Sequence, residues 1–181
     1  MVQRKNMKDF LAESLIELTK TKQFSAITIK NIAENCGTTT RTFYNHFKDK
    51  NDLVSWIYWK FFSESVYRRD GEFVDWHISM FNLLNCIQTN ISFFQKASAY
   101  EGQNSLAETM FEVFTTRYMV GLVRDWKIEK PSKAQKFSVT FFARGCTAEI
   151  INWIRDTSKY TPDELVSLMD HCMPEFMKES S

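Results

Sequence analysis

Apolar residues Met7, Leu11, Leu15 and Leu18 recur at helical spacing, with Phe10 and Ile16 widening the stripe, so residues 5–22 read as an amphipathic helix. Thr28 can cap a second helix through Ile29, Ile32, Ala33 and Cys36. Gly37 ends it, because glycine takes the left-handed conformation that closes a helix at little steric cost. Thr38, Thr39 and Thr40 then offer caps for a short third helix carrying Arg41, Thr42, Phe43, Tyr44, Asn45, His46 and Phe47. The polar run Lys48 to Asp52 closes that helix and caps a fourth, from Leu53 to Arg69.

Breaks are expected at Asp70-Gly71-Glu72, at Glu101-Gly102-Gln103-Asn104 and at Glu129-Lys130-Pro131-Ser132. Ser132 can cap a long helix to Asp156, with Val139, Phe142, Cys146, Ile150 and Trp153 on one side and Phe137, Phe141, Gly145, Ala148 and Ile151 on another. An arc that wide predicts burial against two partners. Thr161-Pro162-Asp163-Glu164 combines a cap, a proline at the first helical position and a glutamate three residues after the cap. The helix it starts carries Leu165, Leu168, Met169, Cys172 and Phe176 as its apolar stripe. Trp76 to Gln95 holds no Lys, Arg, Asp or Glu, but its polar residues, among them His77, Asn82, Asn85, Gln88 and Asn90, argue against a membrane span and for a buried helix.

Composition sharpens this reading. Only 5 glycines and 3 prolines in 181 residues leave too little turn chemistry for a strand-rich fold, so the expected class is all-α. Aromatic content of 15% excludes disorder. Cys36, Cys86, Cys146 and Cys172 lack metal-ligand spacing and are expected to be reduced, buried thiols. The start lacks the apolar run of a secretory signal, and a cytoplasmic location is expected. Net charge is +1, yet residues 1–50 hold nine Lys/Arg against five Asp/Glu, leaving the remainder with fourteen against seventeen. A basic head on a slightly acidic body fits a nucleic-acid-binding module joined to something else.

The two short helices around Gly37 form a helix-turn-helix candidate. Ala33 permits close crossing, Gly37 makes the turn and Phe43 anchors the second helix, leaving Thr39, Thr40, Arg41, Thr42, Tyr44 and Asn45 on the outer face. Arginine can pair bidentately with guanine, and threonine methyls can touch thymine methyls, in the major groove. An ordinary helical hairpin satisfies the same spacing.

The stretch TIKNIAENCGTTTRTFYNHFKDKNDL, from Thr28 to Leu53, resembles the DNA-binding signature of the tetracycline-repressor (TetR) family of bacterial transcriptional regulators. Its most specific part is Phe43-Tyr44-Asn45-His46-Phe47-Lys48-Asp49-Lys50 followed by Leu53, and Trp153 to Met169 is similar to the dihydroxyacetone-kinase-regulator-like subgroup. The resemblance implies phosphate contacts by Thr28, Lys30, Tyr44, His46 and Lys50, and base reading by Thr39, Thr40, Arg41 and Thr42. It also implies a DNA-binding head over residues 1–52 and a regulatory and dimerisation body over 53–181. The sequence departs from the family at Thr38, where an apolar residue is usual, and at Arg41, where glycine is common, which makes Arg41 the expected main specificity residue.

No nucleophile arrangement surrounds His46, and His171 beside Cys172 cannot readily share a metal, so neither catalysis nor a metal or cofactor is expected. His171 reads as exposed and Cys172 as a core thiol. Trp56, Trp59, Phe94, Tyr100, Phe114, Tyr118 and Phe142 either line an effector cavity or fill an aromatic core. Phe141, Gly145, Ala148, Ile151, Leu165, Leu168, Met169 and Cys172 are candidates for a homodimer interface, with burial inside the protomer as the competing explanation. The expected function is repression from a palindromic double-stranded operator, released by a small-molecule effector. Activation through a protein partner, or a helical interaction module with no specific DNA binding, are the alternatives.

Overall fold

Helix starts are set by the residues just before them. Asn6, Thr28, Ser132 and Thr161 each build a reciprocal box: the side chain accepts the amide three residues on, and that residue's side chain accepts the cap's own amide. Each such cap is worth about 1 kcal/mol. The computed structural model, which describes residues 5–67, 74–100 and 105–178, folds the described residues into ten α-helices and no β-strand, the all-α class expected. The first four are α1 (Met7–Thr21), α2 (Ile29–Asn35), α3 (Thr40–Tyr44) and α4 (Lys50–Val66), with a single 3-10 turn, Phe24–Ala26, between α1 and α2. The rest are α5 (Trp76–Thr89), α6 (Ile91–Ala97), α7 (Leu106–Arg124), α8 (Lys133–Arg155), α9 (Pro162–His171) and α10 (Glu175–Lys178).

Three boundaries differ from expectation. The fourth helix begins at Lys50, because the Asp49 carboxylate accepts the amides of Asn51 at 2.8 Å and Asp52 at 2.9 Å. The charge-free stretch from Trp76 is two helices, broken at Asn90, whose side-chain amide donates to the Cys86 carbonyl at 2.9 Å. The last helix also stops early, at His171, with a separate short turn of helix after Pro174. Arg69 and the breaks expected at 70–72 and 101–104 lie outside the described residues.

Leu11, Leu15, Ile32, Phe43 and Leu53 are fully buried and lock the first three helices onto the start of α4. The helix α4 runs unbroken across residues 52 and 53 into a core where it packs on α5 and α7, and α7 packs along α8. One side of α8 is buried as expected, from Val139 to Trp153. On the opposite side, expected to meet a second partner, Phe137 and Phe141 are 69% and 70% exposed in the protomer, while Ile151 is buried. Gly145 and Ala148 are exposed too, and a Cβ on Gly145 would meet nothing within 4 Å. Close packing does require Gly121, where a Cβ would lie 2.7 Å from the ring of Trp126 in the turn that follows α7. The cysteines are free, but only Cys146 is buried, and Cys172 is exposed, not a core thiol.

Candidate nucleic-acid interface and body cavities

The backbone of the turn between α2 and α3 is dictated by Gly37, which adopts φ +71° and has open space around it. The Gly37 amide donates to Glu34 O at 3.1 Å and the Thr38 amide to Ala33 O at 2.9 Å, so the turn closes with threonine where the family favours an apolar residue. Ala33 and Phe43 are fully buried at the crossing, fixing α3 against α2. On α1, the Ser14 hydroxyl donates to Ile32 O at 2.7 Å, tying α2 down from behind.

This packing leaves one face of α3 outward. Thr39, Thr40, Arg41 and Asn45 are exposed, Tyr44 is 59% exposed, and Thr42 and His46 are half-buried. The Arg41 guanidinium has no ion pair or hydrogen bond to any described residue, leaving it available to a base edge. The hydroxyls of Thr39 and Thr42 instead pair with each other at 3.1 Å, and Thr39 also accepts the Thr42 amide at 3.2 Å. Both therefore present mainly methyl groups. The Thr28 hydroxyl is likewise spent on its own cap, donating to Asn31 Oδ1 at 2.9 Å. Lys30 is exposed, in a loose pair with Glu34 at 3.7 Å.

Lys50 is held by the protein's own backbone. Its ammonium donates to Phe24 O and Ile27 O and sits over the Phe24 ring, and burial pushes its pKa down. It fastens the 3-10 turn to α4. Lys48, two residues after His46, is also exposed.

The seven aromatics proposed for one effector cavity do not converge. Phe94 is fully buried against Phe93 and Phe61, and Tyr100 is exposed. Phe114 and Tyr118 line a cavity of about 950 Å³ that also takes in Trp76, Trp126, Arg117 and Asp125. Trp76 Nε1 donates to the Tyr118 hydroxyl at 3.1 Å and Trp126 Nε1 to Met177 O at 2.7 Å, so two tryptophans brace the cavity wall. Phe142 is buried behind it, against Trp76 and Tyr118. Trp56 and Trp59 line a different recess, an open groove of about 470 Å³ between α4 and α7. Arg117 touches both spaces and pairs with Asp125 at 2.7 Å. Trp126 and Asp125 gave no sequence signal, since they follow the end of α7 with no periodic pattern around them.

Among the dimer candidates, Phe141, Gly145, Ala148, Leu168 and Cys172 are exposed. Ile151, Leu165 and Met169 are 7%, 2% and 5% exposed, and so back that face from inside the protomer. Among the described residues no cluster of His, Cys, Asp and Glu could hold a metal, and no helix is long and apolar enough to cross a membrane.

Residues 13–61 match the model for bacterial regulatory proteins of the tetR family, and residues 74–174 match that for a transcriptional regulator C-terminal region of the same group. The HTH-type dhaKLM operon transcriptional activator DhaS of Lactococcus lactis is 26% identical over 86 residues, 48% of this chain and 46% of that protein. The aligned stretch thus spans about half the length of that curated relative. A solved dihydroxyacetone kinase operon activator, DhaS, superposes with a TM-score of 0.67 at 18% identity, covering 96% of this chain and 95% of the other. The repressor AlkX from a Dietzia strain gives 0.58 at 16% identity over 99% and 100% of the two chains. NalD, a secondary repressor of an efflux pump in Pseudomonas aeruginosa, gives 0.51 at 16% identity over 93% and 97%. At these identities the superpositions establish the fold.

Proposed function

The chain belongs to the TetR family of bacterial transcriptional regulators, non-enzymatic DNA-binding proteins that act as dimers, and on that footing we propose that it is a repressor of a palindromic operator. Residues 1–52 serve as the reading head and 53–181 as the regulatory and dimerisation body. The observation that carries this reading is the outer face of α3, where Arg41 stands exposed and unpaired on a helix locked from behind by Ala33 and Phe43. Arg41 reads a base edge, the methyls of Thr39, Thr40 and Thr42 meet thymine methyls, and Tyr44, Asn45, His46 and Lys30 position the head on phosphates.

The exposed face of α8 and α9 supports pairing of two copies into a four-helix bundle. Two heads held roughly 34–36 Å apart then enter successive major grooves. The cavity of about 950 Å³ is of effector size, and its wall includes Phe62 and Val66 of α4, the helix that continues into the head. An effector that prefers a different setting of α4 weakens DNA binding by its differential affinity for the two states. The likeness to the Lactococcus activator favours a second reading, activation in place of repression.

Selection of bound sequences from random duplex DNA tests the core of the proposal. The expected result is a palindromic consensus bound with a steep salt dependence. Failure to select any sequence over random competitor would overturn it. A promoter fusion carrying the selected site then gives the sign of regulation.

A further inference from the structure

The groove between α4 and α7 shares Phe62 and Arg117 with the larger cavity and differs from it in the rest of its lining. Its walls carry the rings of Trp56, Trp59 and Tyr67, while its charged groups are Asp52, Glu112 and Arg117. The Arg117 charge is offset by Asp125, which is not part of this lining, so Asp52 and Glu112 are left in excess. Glu112 is exposed, and its carboxylate has no ion pair or hydrogen bond to any described residue. Near the head, Ser55 and Thr109 join the two walls of the groove with a hydroxyl pair at 2.7 Å. Trp59 is 55% exposed, Tyr67 42% and Val120 49%, so a large apolar surface lies open to solvent.

Aromatic faces carry negative potential and attract cations, most strongly where water is excluded. The ring of Trp56 already takes one, with Lys60 Nζ 5.6 Å from its centroid. Aromatic walls with excess carboxylate charge disfavour anions and hold apolar cations better than neutral molecules of the same shape. We propose that this groove binds a compact apolar organic cation, seated on Trp56, Trp59 and Tyr67 with Glu112 as its counter-charge. The size, about 470 Å³, is that of a small-ligand site. The occupant also touches the head's packing through Trp56, whose ring meets Phe47 edge-on at 5.9 Å, and Phe47 in turn lies 5.8 Å from Phe43. This binding is independent of the operator reading and is measured without DNA.

Tetraphenylphosphonium and tetraphenylborate, ions of matched shape and opposite charge, are titrated calorimetrically into the full-length protein. The expected result is one cation bound per chain, at least about tenfold more tightly than the anion. Trp59→Ala weakens cation binding by about tenfold and Glu112→Gln by about threefold, with melting curves showing that both variants remain folded. Equal affinity for the two ions, no cation binding at millimolar concentration, or unchanged affinity in both variants would each overturn the proposal. A change of oligomeric state in Trp59→Ala would assign the groove to a second copy of the chain, and overturn it too.

Discussion

The ammonium of Lys96 lies 3.0 Å from the carbonyl oxygen of Lys22 and also bonds the carbonyl of Thr19, so a side chain of α6 closes the C-terminal end of α1. The last carbonyls of a helix have no partner within it, and a cation there offsets the helix dipole as well. Ser92, one turn earlier on α6, donates to the same Thr19 carbonyl at 3.3 Å. The body therefore grips the head at the far end of α1 from its cap. Replacing Lys96 with methionine is expected to cost about 1 kcal/mol of stability. Hydrogen exchange should quicken first at the amides near Lys22. A melting temperature equal to that of the unaltered protein would show that the contact contributes nothing.

A second tie sets a pH dependence. Burial alone would raise the Asp9 carboxyl, but hydrogen bonds from Lys60 and the Asn6 amide, with the charges of Lys60 and Lys5, outweigh it and hold the group below its ordinary value. A folded-state value below the unfolded one contributes stability that is present above about pH 4 and lost as pH falls through the folded value. Urea unfolding from about pH 6 down to pH 3 should show the loss, and Asp9→Asn should flatten it. Identical slopes in the two proteins would remove Asp9 from the account.

On DNA, Arg41 and Lys30 should behave differently. Arg41→Ala is expected to cost about 1–3 kcal/mol on the selected operator and to relax preference at one base position per half-site. Lys30→Ala should weaken binding about equally on all sequences and lower the salt slope by about one per head. Competition binding at several salt concentrations separates the two. Arg41→Ala with undiminished selectivity would shift base reading to Thr40 and the threonine methyls.

What was legible in the sequence is what local chemistry decides. Thr161-Pro162-Asp163-Glu164 starts α9 where it should, and Ala33, Gly37 and Phe43 give the helix-turn-helix because size and backbone freedom at three positions suffice. Tertiary facts were hidden. Lys50 reads as a phosphate contact until the chain brings the carbonyls of Phe24 and Ile27, 26 and 23 residues away, against its ammonium. The break at Asn90 carries no glycine or proline and rests on one amide bonding back to Cys86. Helical period places Phe141 and Ile151 on one broad apolar arc, yet one is exposed and the other buried, since spacing does not say where the neighbouring helix stops. The division of the aromatics between a cavity, a groove and the core depends on how α4, α5 and α7 approach one another, which no single helix records.

The exposed arc of α8 supplies the last prediction. Phe137 and Phe141 stack with centroids 6.2 Å apart, both largely open to water, and Gly145 and Ala148 continue the strip toward the helix end. Leu168 on α9 is 48% exposed, and Cys172, just past the end of that helix, is exposed as well. Large rings at one end and small residues at the other let a second copy, run in the opposite direction, set its phenylalanines over this copy's glycine and alanine. A carboxylate placed among them would lose its water without gaining a partner, at a cost of several kcal/mol. Phe141→Glu should therefore turn a dimer into a monomer by light scattering at micromolar concentration, while Phe141→Leu stays dimeric. Melting behaviour of the monomer should change little, because the side chain is not part of the protomer's core. Operator affinity should fall by about a hundredfold or more, since a lone head loses the effective concentration that tethering gives its twin. A Phe141→Glu protein that remains dimeric would place the two-fold contact on another surface.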